Sequence, residues 1–139
     1  MKRYKPSATA QADLLMAWEN RCAYCRLPFG LFVWKRGIGA WTRGQGHERR
    51  YYKANHGAIV LRLEWDHFIP FAYSGSCDST QFLPACHLCN QIKSDKVFRT
   101  IEGVREYLEP RWIRRFELAS GPVASWVDAV ASEMADWDS

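Results

Sequence analysis

Four of the five cysteines form two pairs of one spacing, Cys22-Ala23-Tyr24-Cys25 and Cys86-His87-Leu88-Cys89, with 60 residues between them. A Cys-x-x-Cys turn points two thiolates at one ion, and two such turns supply the four sulfurs of a closed tetrahedral zinc site. The separation exceeds the roughly 15–20 residues of common zinc ribbons, so the intervening chain must build structure of its own. Disulfides and a redox-active pair are the competing readings. An odd cysteine count, the lack of a secretory signal and the lack of a neighbouring βαβ pattern weigh against both. Structural zinc on Cys22, Cys25, Cys86 and Cys89 is the expectation. Cys77, alone in a Ser/Gly-rich loop, reads as a free thiol, and the knuckle does not need His87 as a ligand.

The chain that must position these residues has 139 positions, 47% of them apolar and 24% charged, which is ordinary globular usage for one domain. No apolar run approaches the roughly 20 residues of a membrane span. The basic start Met-Lys-Arg-Tyr-Lys-Pro leads into no apolar h-region. A cytoplasmic protein with no membrane partner is expected, in the host cytoplasm if a phage encodes it. The net charge of +4 is unevenly spread. Residues 1–62 hold 12 Lys/Arg against 3 Asp/Glu, and residues 63–139 hold 7 against 12. Such a split suggests a polyanion-binding surface beside something else.

The elements follow from periodicity. A helix over 7–21, capped by Ser7 or Thr9, delivers the chain to the first cysteine pair. Residues 26–57 form a Gly-punctuated basic insert in which short strands such as 31–34 are expected. The run 58–65 reads as one strand, rich in branched residues, and 81–83 as a second strand ending before Pro84. Residues 88–98 read as a helix. Another begins at Thr100 and is interrupted at Pro110, a further segment covers 111–119, and a last amphipathic helix covers about 124–137. The predicted fold class is α+β in a single domain over 1–139, with a core at 58–98 and C-terminal helices at 100–139.

Leu63-Glu64-Trp65-Asp66-His67-Phe68-Ile69-Pro70, followed by Gln81-Phe82-Leu83-Pro84-Ala85-Cys86-His87-Leu88-Cys89-Asn90-Gln91-Ile92-Lys93, resembles the HNH endonuclease family. The resemblance covers 22–25 and about 60–98. It implies a ββα-metal core of strand, loop, strand and helix around one divalent cation, braced by the four-cysteine zinc site. It gives no assignment to 26–57 or 100–139. Where the family motif usually carries Asn, thought to orient the histidine, this chain has Gln81, whose amide lies one methylene further out.

The chemistry can be argued beside the resemblance. Phosphodiester hydrolysis needs an activated water and neutralisation of charge on the phosphate and the leaving oxygen. Asp66 offers a hard oxygen at a strand end and Asn90 an amide oxygen, a donor set suited to Mg²⁺ or Mn²⁺. The imidazole of His67, with an ordinary pKa of roughly 6.5, can take a proton from water near neutrality. His67 is therefore the expected general base, Asp66 and Asn90 the cation ligands, and Gln81 a supporting residue.

The basic insert supplies candidate DNA contacts in Arg36, Arg43, Arg49, Arg50 and Lys53. Its interleaved aromatics, Trp34, Trp41 and Tyr52 among them, could stack on bases or pack a satellite core. Lys93 is a further candidate for a phosphate contact. The expected function is metal-dependent DNA cleavage, nicking or double-stranded. Two alternatives stand beside it: a non-catalytic zinc-stabilised DNA-binding module, and a protein-interaction module that would show no salt-dependent DNA binding.

Overall fold

The computed structural model describes residues 5–37, 57–68 and 82–138. They form a mixed α+β arrangement. Helix α1 (Ala8–Ala17) starts at Ser7, whose hydroxyl accepts from the Ala10 amide at 3.2 Å. It ends four residues before the expected boundary. Glu19 and Asn20 both take positive φ, 57° each, and turn the chain out of the helix. The first cysteine pair then sits on a tight turn between the bridged residues Arg21 and Pro28. Cys22 N–H donates to the Leu27 carbonyl at 3.0 Å, and Arg26 N–H to the Cys22 carbonyl at 2.9 Å.

Strand β1 (Phe32–Lys35) lies between β2 (Ile59–Val60) and β5 (Phe116–Glu117), antiparallel to both. The run expected as one strand over 58–65 is split between two sheets. After β2, the Leu61 N–H still donates to the Leu31 carbonyl, in register with β1. Arg62 is already in register with His87, its N–H donating to the imidazole and its carbonyl accepting from the His87 amide, so the chain changes sheets between Leu61 and Arg62. The chain re-enters extended structure as β3 (Leu63–His67) and pairs antiparallel with β4 (Phe82–Cys86), Leu63 opposite Cys86 and His67 opposite Phe82.

Strand β4 runs through Pro84 instead of stopping before it. A two-stranded sheet leaves β4 with an outer edge, where a residue lacking an N–H costs no ladder bond. On that edge the Pro84 carbonyl accepts from the Ala23 amide at 2.8 Å, which docks the first cysteine turn onto the sheet.

Helix α2 (His87–Lys93) follows β4 without a loop and stops at Ser94, which has φ 55°, five residues short of the expected helix end at 98. Helix α3 (Ile101–Arg115) is continuous through Pro110, where an interruption was expected. Val104, Leu108 and Trp112 recur every four residues, are all buried, and hold both halves against one core, outweighing the one hydrogen bond proline removes. Glu102 lies in the first turn and Arg114 and Arg115 in the last, as the helix dipole favours. The expected segment over 111–119 is thus the end of α3 followed by β5.

Helix α4 (Trp126–Asp138) begins where Glu109 accepts from the Trp126 amide at 2.7 Å. The buried carboxylate of Glu133 on α4 meets Arg21 at 3.2 Å. One buried cluster joins the cysteine turns, β1, β4, α3 and α4, with Trp112 packed against Phe116 and Trp126 at ring-centroid distances of 5.5 and 6.5 Å. No described helix is long and apolar enough to cross a membrane.

Candidate metal centre and active site

The turn at 22–25 and the β4–α2 junction bring all four expected thiols together. Their Sγ atoms lie within 4.8 Å of one another, each residue fully buried, with Cys25 and Cys86 Sγ 4.0 Å apart. Four sulfurs about 2.3 Å from a tetrahedral Zn²⁺ would sit about 3.8 Å apart, so the cluster matches the size and softness of the ion. Two backbone amides already point at sulfur: Tyr24 N–H at Cys22 and Cys89 N–H at Cys86, both at 3.4 Å. The cysteines are free thiols. Burial pushes the Cys25 and Cys89 thiols well up. At Cys22 burial acts in the same sense but is outweighed by hydrogen bonds from Cys25, Cys86 and Cys89, which hold that thiol well below its ordinary value.

These four residues could hold a metal such as zinc. Among the described residues they are the one set of three or more His, Cys, Asp or Glu ligand atoms close enough to share an ion. His87 is not among them. Its Nδ1 accepts from the Arg62 amide at 3.1 Å while its own amide donates to the Arg62 carbonyl at 2.9 Å, so it latches α2 to the entry of β3. Arg105 on α3 holds the first turn from the other side, donating to the Ala23 carbonyl through Nε at 3.2 Å and Nη2 at 2.7 Å.

Beside the thiols lies a polar cluster. Strand alternation puts Glu64 and Asp66 on one face of β3 and Trp65 and His67 on the other. Helix α2 lays Asn90 and Lys93, three positions apart, against that first face. Asn90 Nδ2 donates to Glu64 Oε1 at 2.9 Å, and Lys93 Nζ stands 3.3 Å from Asp66 Oδ2 and 3.4 Å from Oδ1. The Tyr24 hydroxyl, from between the first two cysteines, also donates to Asp66 Oδ2. Burial, and then the Asp66 charge, raise the Tyr24 pKa far above the usual phenol value, so it stays a donor. Asp66 is 7% exposed and Lys93 1%. Lys93, the candidate phosphate contact of the sequence, is here the buried partner of Asp66.

His67 projects to the opposite side of the strand, its ring edge-on to Phe82 with centroids 4.7 Å apart. Both ring nitrogens are buried and find no hydrogen-bond partner among the described residues. Unpaired buried nitrogens are costly, and an active site is one setting in which such a cost is kept.

Of the other expected residues, Arg36 is exposed at the end of β1, its Nη1 donating to the Ile113 carbonyl at 3.0 Å near the C-terminus of α3. Gln81, Arg43, Arg49, Arg50, Lys53 and Cys77 lie outside the described residues. Sequence reasoning missed Tyr24 and Glu64. The period-two spacing of Glu64 from Asp66 was a signal for one; a phenol inside a ligand turn was a faint signal for the other.

No model of a known protein family matches the chain, and neither does a curated protein or a solved structure.

Proposed function

We propose that the chain is an HNH-type, metal-dependent DNA endonuclease in which β3, β4 and α2 form the ββα-metal core. The observation that carries this reading is the contact of α2 with β3. It sets Asn90 and Lys93 against Glu64 and Asp66, next to four thiols of zinc-site size, with His67 one residue beyond Asp66. The donors on that face are hard oxygens, which fit Mg²⁺ or Mn²⁺ better than any softer ion. Asp66 and Asn90 would hold the divalent cation, which supplies charge neutralisation at the phosphate and the leaving oxygen.

The residues of the chain do the rest. His67 takes the general-base role: its ring nitrogens have no described partner, and reaching a water on the cation at Asp66 requires the buried ring to turn from the Phe82 side of β3. Gln81 takes the supporting amide role. Arg36, Arg43, Arg49, Arg50 and Lys53 bind DNA phosphates, a term that weakens with salt.

A second reading, a non-catalytic zinc-stabilised DNA-binding module, is favoured by the ion pair that engages Asp66 with Lys93. A supercoiled-plasmid assay with Mn²⁺ separates the two. The parent should yield open circles or linear DNA. The His67→Ala variant should yield neither, with its zinc content and circular dichroism unchanged. Cleavage by that variant at the parental rate sinks the mechanism. Salt-dependent DNA binding by a parent that never cuts selects the second reading.

A further inference from the structure

The Asp66 cluster contains its own cation. A lysine ammonium is almost never fully buried unless paired, and Lys93 meets both Asp66 oxygens, at 3.3 and 3.4 Å. From the other side the Tyr24 hydroxyl ties the same carboxylate to the cysteine turn. An ionised carboxylate offers about four acceptor positions. Donors therefore surround Asp66, and its charge is already balanced.

We propose that Lys93 is a built-in competitor for the cation site: its ammonium occupies the place of the divalent ion on Asp66 and sets how tightly that ion binds. The proposal rests on the reading of Asp66 as a cation ligand. The reasoning is one of charge and space. A divalent ion on Asp66 would face a +1 ammonium a few ångströms away in a buried setting, where repulsion between like charges is weakly screened. Loading the site then requires Lys93 to leave the carboxylate. Lys93 closes a seven-residue helix, and the next residue, Ser94, already turns away with φ 55°. Tyr24 is not displaced, because a neutral donor to one oxygen is compatible with a cation on the other. Lys93 therefore sets cation affinity and Tyr24 sets where the carboxylate sits.

The test is Mn²⁺ binding without DNA, followed by electron paramagnetic resonance on the full-length, zinc-loaded chain, so that no cleavage enters the readout. Lys93→Met and Lys93→Gln should bind Mn²⁺ about tenfold more tightly than the parent, a coupling of ordinary size between two sites. Lys93→Arg should stay near the parent, and Asp66→Asn should lose the saturable site. If Asp66→Asn loses the site while the neutral Lys93 variants bind no more tightly than the parent, the competitor role is wrong and the cation reading survives. If Asp66→Asn binds like the parent, both fall. Should neither neutral variant fold, the parent carries the test. Saturating Mg²⁺ should shift the Lys93 side-chain NMR signals, and an unmoved Lys93 beside a shifted Asp66 overturns the proposal.

Discussion

The Tyr24 hydroxyl donates to the Asp66 carboxylate across 42 positions of sequence, so a side chain of the first cysteine turn reaches into the cluster on β3. Both residues are buried, and the turn bearing Tyr24 is docked on β4 through Ala23 and Pro84. Whatever orders the cysteine turn therefore also orders Asp66.

Tyr24→Phe removes this one donor and little volume. Hydrogen bonds to charged groups contribute about 1.5–3 kcal/mol, so unfolding free energy in urea should fall by an amount in that range. Zinc content should hold at one ion per chain, since Cys22 and Cys25 are untouched. A loss under about 0.5 kcal/mol would mean the bond is not made in solution.

The parts of this arrangement legible in the sequence are those whose signal is local. Two Cys-x-x-Cys pairs announce four thiols of one site, and the structure brings those thiols together. The partners of Asp66 were not legible, because Lys93 lies 27 positions away and Tyr24 42. Lys93 was read as a candidate phosphate contact because spacing alone cannot say which way a short helix is rolled. The run 58–65 looked like one strand because its residues suit a strand; it divides because Leu61 pairs back with Leu31 while Arg62 pairs forward with His87, a choice made by partners distant in sequence. Pro110 and Pro84 misled for one reason: a missing N–H ends an element only where that N–H was needed or nothing else holds the backbone.

Metal removal should unfold the chain, not merely loosen it. Structural zinc contributes about 10–16 kcal/mol of apparent binding free energy in small zinc peptides, comparable to or above the 5–15 kcal/mol stability of a typical domain. The four cysteines belong to the buried cluster and bring the first turn together with β4 and α2. A strong chelator should therefore release one zinc and abolish near-ultraviolet circular dichroism together, and Cys25→Ser should do the same without chelator. Burial holds the Cys25 and Cys89 thiols protonated when no metal is bound, so protons compete with the ion and acid should favour release. A chelated protein that melts like the parent would remove the structural role.

His87 should make the fold acid-sensitive below neutrality. Burial first, and then the neighbouring Arg62 charge, lower its pKa from the ordinary 6.5, with the Glu64 charge and the hydrogen bond to the Arg62 backbone pulling the other way. The unfolded chain thus takes up a proton near pH 6.5 that the folded chain refuses until lower pH. Where the unfolded state binds more protons, stability rises with pH. The contribution is complete above about 6.5 and is lost as pH falls below it toward the folded value. Structurally, a proton on Nδ1 would replace the acceptor facing the Arg62 amide with a second donor. His87→Asn keeps an acceptor there and cannot titrate. With zinc saturating in both proteins, thiol protonation is common to both and cancels in the difference. The stability of the parent minus that of the variant should therefore decrease from pH 7.5 to 5.5 in urea titrations at each pH. A difference that stays constant across that range would show that the His87 pKa is the same in the folded and unfolded chains.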